Sequence, residues 1–195
     1  IALSVSENIP NEINTLKGLE FEISTTNLNG EFEPAKGMIK ISKLQEPDRL
    51  LRRRLWNKPD KFLISKEEYV KNFEHDIYDS EDDMMSKKVE KQVFSAAFDT
   101  SKEKKMILKT VDQWLDGKYL VEINTNDKYG EKIEYKKYFS AYKPENGTMS
   151  EKTFNRFSLV NQTVEPGNSG TFLIGSSAEN VFAVFEIQRK NKKSE

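Results

Sequence analysis

Hydrophobic and polar residues alternate along most of this chain, with the period of two that is typical of half-buried strands. In the segment GLEFEIST, the side chains of Leu19, Phe21 and Ile23 fall on one face, and Glu20 and Glu22 fall on the other. The other segments with this pattern are residues 3–9, 37–44, 91–100 and 117–143. Alternation of this kind predicts an all-β antiparallel sandwich, in which each strand buries one face.

Two of these strands are predicted to form a tight hairpin. The segment NDKYGE, residues 126–131, separates two alternating runs, and Gly130 can supply the positive φ that such a turn requires. We therefore expect an antiparallel strand pair across residues 117–143.

The strand pattern stops after Leu44. The segment SKEEYVKNF begins with a capping box, in which Ser65 can accept from the amide of Glu68 and Glu68 can reach back to Ser65. We expect a short helix there and a return to strand at residues 84–92. Residues 45–90 are thus predicted to form a long, partly helical insertion, and long ordered insertions are often functional or interface elements.

A second unit is predicted after residue 143. Residues 144–150 contain Pro, Gly, Asn and Ser and little apolar content, as linkers do. The strand-like runs beyond this linker are residues 154–160, 169–176 and 180–189. Three strands are too few for a sandwich, because they leave one apolar face uncovered. Either these strands dock on the first unit, or the rest of a second domain lies beyond Glu195. We favour the second alternative, and expect a domain at 1–143 and the start of a second β-sandwich domain at 151–195.

Composition argues against several classes of function. The chain has 195 residues, of which 32% are charged, and a formal net charge of −1. This balance does not favour nucleic acid or an anionic membrane as a partner. The chain contains no run of about 18 apolar residues, the length that a helix needs to span a bilayer. The chain has no cysteine, which excludes disulfides, catalysis by a thiolate and metal sites with cysteine ligands. We predict no nucleic-acid partner and no direct membrane insertion of this segment.

The tetrapeptide Gly-Asn-Ser-Gly at residues 167–170 looks like the nucleophile motif of chymotrypsin-fold serine proteases. His75 and Asp99 precede Ser169 in the order that those proteases use. However, His75 lies in an acidic segment that we expect to be exposed, without the small residues that precede the protease histidine. The motif also continues as Thr171-Phe172 where the proteases have Gly-Pro. We predict that Ser169 is an exposed turn residue and that the chain is not an enzyme.

A cluster of acidic residues in the insertion offers oxygen ligands for calcium. Its members are Glu74, Asp76, Asp79, Glu81, Asp82 and Asp83. The cluster lacks the glycine and the terminal glutamate of an EF-hand loop, so we favour a solvated acidic face. We expect the basic run Arg52, Arg53 and Arg54 to pair with this face within the molecule. No metal or cofactor is predicted.

Two other kinds of candidate site remain. Trp56 and Trp114 are expected to be core or loop anchors rather than carbohydrate platforms. Asn146-Gly-Thr148 and Asn161-Gln-Thr163 match glycosylation acceptors, a reading that requires a eukaryotic secretory host. No glycine-rich phosphate loop and no pair of carboxylates at a catalytic spacing is present, so we predict no catalytic or cofactor-binding residues.

Residues 164–189, VEPGNSGTFLIGSSAENVFAVFEIQR, resemble a recurring segment of the alpha-2-macroglobulin family. In that family a Pro-Gly turn precedes an apolar strand, a Gly/Ser turn and a Val/Ala-rich strand that ends in Glu. The corresponding elements here are Pro166-Gly167, Thr171–Ile174, Gly175–Ser177 and Val181–Glu186. Residues 27–44 and 116–139 are similar to strands of a macroglobulin-like domain, and residues 52–78 to an insertion in the macroglobulin-like proteins of Bacteroidetes.

The resemblance implies seven-stranded macroglobulin domains with an immunoglobulin- or fibronectin-III-like fold. It also implies a scaffold segment of a peptidase-trapping inhibitor that is secreted or held in the cell envelope. Its partners would be peptidases, bound through the full-length protein, and neighbouring macroglobulin-like domains of the same chain. The family's Cys-Gly-Glu-Gln thioester is missing here. The alternative is a cell-surface adhesion or glycan-binding sandwich that uses the insertion as its site.

Overall fold

The computed structural model describes residues 3–109, 111–144, 149–161, 163–184, 186–189 and 192–194. The strands in chain order are β1 Ser4–Glu7, β2 Glu12–Asn14, β3 Leu19–Thr26, β4 Lys36–Leu44, β5 Val89–Asp99, β6 Lys105–Leu108, β7 Gly117–Asn126, β8 Lys132–Tyr142, β9 Arg156–Leu159, β10 Phe172–Gly175, β11 Ile187–Arg189 and β12 Lys192–Ser194. The helix α1 spans Lys66–Asn72, and 3-10 turns span Thr15–Lys17, Met84–Ser86 and Val111–Gln113. Across the described ranges, no helix has both the length and the apolar content needed to traverse a bilayer.

Two sheets form a β-sandwich. The larger has five strands in the order β2-β8-β7-β4-β5, and the smaller has three in the order β1-β3-β6. One hydrophobic core joins them, with Phe21 and Ile23 from β3 and Ile39, Val121 and Ile123 from the larger sheet. The predicted all-β sandwich is therefore confirmed.

The period of two decides which side chains enter this core. In β3, Leu19, Phe21 and Ile23 are buried, whereas Glu20 and Glu22 are exposed. A slip of one residue would place the acidic side chains in the core, so the alternation fixes the register. The predicted face of this strand is confirmed.

Strand β4 lies between β5 and β7, and Gly37 allows the three strands to approach closely. A Cβ atom at this position would lie 2.1 Å from the carbonyl oxygen of Asn124 and 2.8 Å from the ring of Phe98. A residue with a side chain would therefore push β7 and the Phe98 ring away from β4.

The core contains a stack of aromatic rings. Trp114 is 7% exposed and stacks on Tyr119, with ring centroids 5.1 Å apart. Tyr119 stacks in turn on Phe139 at 5.4 Å, and its hydroxyl donates to the carbonyl of Leu115 at 2.7 Å. Burial raises the pKa of the Tyr119 phenol. The expectation that Trp114 is a core anchor is confirmed.

The predicted hairpin joins β7 and β8. Gly130 has a φ of 86°, and its amide donates to the carbonyl of Asp127 at 3.0 Å. The Asp127 carboxylate accepts from the amides of Tyr129 and Glu131, both at 2.9 Å, so one side chain satisfies two turn donors.

Two strands of the sandwich were not predicted. Strand β2 runs parallel to β8, with Ile13 opposite Ala141, so the larger sheet is mixed rather than purely antiparallel. Strand β6 pairs with β3 and directs Leu108 into the core, while Ile107 is exposed. Both strands are short, and each is defined by its long-range partner rather than by its own pattern.

The insertion is the segment 45–88, and its base is closed where the amide of Gln45 donates to the carbonyl of Lys88 at 2.9 Å. The predicted helix is α1, and Ser65 caps it by accepting from the amide of Glu68 at 3.2 Å. The strand predicted over residues 84–92 is confirmed from Val89, where β5 begins, and wrong at residues 84–86, because Met84–Ser86 is a 3-10 turn capped by Asp83.

The second unit contains the antiparallel pairs β9–β10 and β11–β12. The strand predicted over residues 180–189 is wrong at residues 181–184, where Val181, Phe182 and Val184 are exposed and no strand forms. A positive φ of 56° at Asn180 turns the backbone immediately before this segment. The predicted division into two domains at residues 144–150 stays a prediction.

Candidate functional site

The insertion is held together by a network of arginines, which we call the arginine network: Arg49, Arg52 and Arg54 with Asp76, Asp79 and Glu81. Arg49 makes the most contacts in it. Its Nη1 donates to the carbonyl oxygens of Glu74 and Asp76, both at 2.7 Å, and its Nη2 donates to Glu81 at 2.6 Å. The guanidinium therefore ties the start of the insertion to residues 74–81.

The other two arginines reach the same acidic segment. Arg52 forms an ion pair with Asp76, whose side chain is only 4% exposed. Arg54 donates to the carbonyl of Asp79 at 2.5 Å, and Lys58 pairs with the Asp79 carboxylate. The expected pairing between the basic run and the acidic cluster is confirmed for Arg52, whereas Arg54 reaches only a backbone carbonyl of the acidic segment and Arg53 forms no ion pair among the described residues. The expectation of a solvated acidic face is wrong for Asp76, because this pairing buries it.

Glu81 receives three donors, from Arg49, from Lys66 at 2.8 Å and from the amide of Tyr78 at 2.9 Å. Burial of the Glu81 carboxyl raises its pKa, but these donors outweigh burial and the net effect is a lowered pKa. The carboxylate is thus held in its ionised form as a structural acceptor.

Helix α1 carries part of a cluster of aromatic side chains, which we call the aromatic cluster: Phe62, Tyr69, Phe73 and Tyr78. Phe62 stacks on Tyr78 with centroids 4.4 Å apart, and Tyr69 lies 5.3 Å from Tyr78 and 5.1 Å from Phe73. The Tyr78 hydroxyl donates to the carbonyl of Ile64 at 2.7 Å. The cluster therefore gives the insertion a small apolar centre of its own, apart from the sandwich core.

A cavity of about 200 Å³, the aromatic cavity, opens beside this cluster. Its lining includes Trp56, Phe62, Tyr69 and Tyr78, with Arg54 and Lys61 as its charged members. Trp56 is 51% exposed and Leu63 is 95% exposed. Rings and aliphatic side chains that are exposed around a concave surface are typical of a recognition site.

Trp56 does not belong to the sandwich core, in contrast to Trp114. It lies in the insertion, where it lines the aromatic cavity and remains half exposed. The expectation that Trp56 is a core or loop anchor is therefore only partly met, because half of the ring stays accessible to a ligand.

His75 and Asp99, the first two residues of the protease-like order, have separate partners. The Nδ1 of His75 lies 2.9 Å from the carbonyl of Leu50, and its ring packs edge-on against Phe154 at 5.1 Å. The Asp99 carboxylate accepts from the hydroxyl of Ser101 at 2.5 Å and pairs with Lys36 at 3.2 Å. His75 is half-buried rather than exposed, because it packs against residue 154.

Ser169 lies just after a turn in which the amide of Asn168 donates to the carbonyl of Glu165 at 3.0 Å. Gly167 has a φ of 94° in this turn, and Ser169 is exposed. The prediction that Ser169 is an exposed residue at a turn is confirmed.

The acidic cluster shows no grouping of metal ligands. Among the described residues, which include all six acids of the cluster, no three His, Cys, Asp or Glu side chains converge in a way that would hold a metal ion. The carboxylates of Asp76, Asp79 and Glu81 are instead directed at cationic side chains.

The two glycosylation motifs are only partly within the described residues. Residues 146–148 lie outside them, as does Gln162 of the second motif, whereas Asn161 is exposed. Both motifs stay predictions.

The second unit docks on the sandwich through charged side chains. Arg156 donates to Glu12 at 2.7 Å and pairs with Glu151, which Lys118 also contacts at 2.9 Å. Ser158 donates to Glu12 at 2.7 Å. Arg156, Glu151 and Ser158 are all buried, so this junction excludes solvent.

Glu46 lies where the sandwich, the insertion and the second unit meet. Burial, assisted by the charge of Glu151, raises the pKa of its carboxyl, although the amide of Lys152 donates to it at 3.4 Å. Its Oε1 has no hydrogen-bond partner among the described residues. A Cβ atom at Gly117 would lie 2.5 Å from this oxygen, so the glycine makes room for the carboxylate.

The sequence predicted the insertion as a possible glycan site and singled out Trp56 in it, but it did not predict the aromatic cavity. The available signal was the density of rings between residues 56 and 78, within a segment that has no strand period. Glu46 and the Arg156 junction carried no comparable signal, because their contacts join residues that are far apart in the chain.

Comparison with known proteins adds no assignment. No protein-family model matches this chain, and no curated protein matches it. A functional proposal therefore depends on the sequence resemblance and on the geometry of the molecule.

Proposed function

We propose that this chain is a non-catalytic scaffold segment of a multi-domain, peptidase-trapping inhibitor of the alpha-2-macroglobulin type. The observation that supports this proposal is an apolar face on β9–β10, opposite the face that docks on the sandwich, whose four side chains are each 40–60% exposed. We call it the outer face: Phe157, Leu159, Phe172 and Ile174. A sheet that docks through one face and exposes apolar side chains on the other is suited to contact a further domain.

The strand register places these four side chains together. Phe172 pairs with Leu159 and Ile174 pairs with Phe157 across the two strands. The rings of Phe157 and Phe172 stack with centroids 5.8 Å apart. All four side chains remain substantially exposed. Full burial of such a side chain contributes about 1.5–3 kcal/mol, so covering this face would stabilise an assembly appreciably.

The docked face of β9 is polar. Arg156 and Ser158 alternate with the outer face and meet Glu12 and Glu151 at the junction. The guanidinium of Arg156 also lies over the ring of Tyr142 at 5.2 Å. Directional contacts of this kind favour one orientation between neighbouring units, which suits a scaffold that must keep a defined geometry.

The proposed partners are neighbouring macroglobulin-like domains of the same chain and, through the full-length protein, peptidases. The proposed location is outside the cell or in the cell envelope. This segment would not carry the covalent step of thioester-containing inhibitors, because it has no cysteine. Its role would be to hold the geometry of the trap.

Hydrogen exchange in the full-length protein tests the scaffold role. We expect the amides of β9 and β10 to exchange more slowly there than in the 195-residue chain, because a neighbouring domain covers the outer face. Phe157→Lys should remove this difference. Ile107→Lys, which alters an exposed isoleucine on the sandwich, should preserve it. Equal exchange in both proteins would refute the proposed contact.

Peptidase challenge tests the inhibitory role. The full-length protein, incubated with endopeptidases, should become more compact after cleavage and retain the peptidase in an inhibited complex. If neither compaction nor inhibition occurs with a panel of endopeptidases, the trapping proposal fails even where the domain contact stands.

An adhesion or glycan-binding module is the second candidate, favoured by the half-exposed Trp56 beside the aromatic cavity. Aromatic faces stack on sugar rings, so glycan-array binding that is lost in Trp56→Ala would support it. Array binding that survives this substitution would place glycan recognition elsewhere.

A further inference from the structure

We propose that the aromatic cavity binds a short acidic peptide segment, which inserts one apolar side chain between Trp56 and the aromatic cluster. This proposal does not depend on the scaffold role, because it concerns the insertion alone. It rests on the size of the cavity, the charge of its lining and the rigidity of its walls.

The size of the cavity suits one side chain. Sites for drug-sized ligands occupy roughly 300–1,000 Å³. The aromatic cavity is smaller, at about 200 Å³. A Leu, Met or Phe side chain of a peptide is of the right scale, whereas a cofactor or an extended oligosaccharide is not.

The lining is apolar with positive charge at its margin. Arg54 and Lys61 are its charged residues, and no acidic side chain lines it. Arg54 is engaged by the carbonyl of Asp79, but Lys61 forms no ion pair or hydrogen bond within the described ranges. An exposed cation beside an apolar cavity complements a carboxylate that flanks an apolar side chain.

Few polar groups of the cavity are available to recognise sugar hydroxyls. The hydroxyl of Tyr78 is already bonded to the carbonyl of Ile64. Neutral glycans depend on several directional hydrogen bonds, because a buried hydroxyl without a partner is costly. The balance of groups therefore favours an apolar anchor with negative charge beside it.

The wall of the cavity that Phe62 and Tyr78 form is held in place before any ligand binds. Phe62 stacks on Tyr78 at 4.4 Å, and Lys58 lies over the Phe62 ring at 5.9 Å. The arginine network holds the segment that carries Tyr78. A preformed site avoids the entropic cost of ordering on binding, and exposed aromatic residues are frequent anchors in protein interfaces.

NMR titration of the 195-residue chain tests the proposal directly. The chain has two tryptophans, so its spectrum contains two indole N–H signals, and Trp114 in the core serves as an internal control. Three peptides are compared: a Leu flanked by Asp and Glu, the same Leu flanked by Lys, and a Ser flanked by Asp and Glu. We expect only the first to shift the Trp56 signal at micromolar to millimolar concentrations, with the Trp114 signal unchanged.

Charge reversal at Lys61 provides the matched variant. Lys61→Glu should weaken binding of the acidic Leu peptide roughly fivefold, the scale of exchanging an exposed ion pair for a like-charge pair. The loss should shrink in 0.5 M salt because of screening. Lys102→Glu, at an exposed turn after β5, should leave binding unchanged.

Three results would overturn the proposal. Equal binding of the lysine-flanked peptide would remove the charge argument, and equal binding of the serine peptide would remove the apolar anchor. Failure of all three peptides to shift Trp56 would leave the cavity without a peptide ligand, and a glycan that shifts Trp56 would then identify the other kind of site.

Discussion

Arg49→Ala is the substitution that tests how the insertion is held. Its guanidinium makes three hydrogen bonds, to the carbonyls of Glu74 and Asp76 and to the carboxylate of Glu81. The side chain is 15% exposed, so water replaces little of what the substitution removes. Because all three bonds join the start of the insertion to residues 74–81, their loss should free this segment before it affects the sandwich.

The expected cost is about 3 kcal/mol. A hydrogen bond to a charged group contributes about 1.5–3 kcal/mol, so three independent bonds would contribute at least about 4.5 kcal/mol. The contributions are not additive, and the partly exposed Glu81 can be rehydrated, so we expect a cost below this sum. Since about 1.4 kcal/mol corresponds to a factor of ten, local opening should become roughly a hundredfold more frequent.

Native-state hydrogen exchange measures this opening. The amide of Arg52 donates to the backbone carbonyl of His75 at 2.8 Å, and the amide of Tyr78 donates to the carboxylate of Glu81 at 2.9 Å. Both amides therefore report on the insertion. We expect both amides to exchange about a hundredfold faster in Arg49→Ala, with amides of the sandwich core unchanged.

Arg53→Ala is the matched control. Arg53 is exposed and, within the ranges that the structure describes, its side chain makes no hydrogen bond or ion pair. It should leave exchange within about twofold of the wild type. If Arg49→Ala and Arg53→Ala gave the same exchange rates, the arginine network would not be what holds the insertion.

Three further predictions concern stability. Trp114→Ala should lower the free energy of unfolding by about 3–5 kcal/mol in urea titrations, whereas Trp56→Ala should change it by less than about 1 kcal/mol; similar losses would contradict the assigned burial. Gly37→Ala should cost about 3 kcal/mol because its Cβ meets β7, while Gly170→Ala, with open space around it, should stay within about 0.5 kcal/mol. The folded-state pKa of Glu46 is raised above 4.5, so folding favours the protonated carboxyl, and stability is lost as the pH rises through the interval above 4.5. The Glu46→Gln variant should therefore be more stable, relative to the wild type, at pH 7 than at pH 4. A difference in unfolding free energy between the two proteins that is the same at both pH values would refute this.

Local patterns in the sequence determined much of the sandwich. The alternation of Leu19, Phe21 and Ile23 predicted the buried face of β3, because successive side chains of a strand point to opposite sides. Gly130 predicted the hairpin turn and Ser65 the start of α1, since both effects act within a few residues. Such features can be read from the chain because their physical causes are short-range.

Tertiary structure decided the features that depend on distant partners. The parallel pairing of β2 with β8 joins residues that are far apart, and no local pattern specifies it. The burial of Asp76 depends on an arginine from the other side of the insertion. Trp56 and Trp114 are chemically identical, yet one is exposed beside a cavity and the other lies in the core. A residue's own type and its neighbours in sequence set its preference, but only the elements that fold against it determine whether it meets solvent, a charge or another ring.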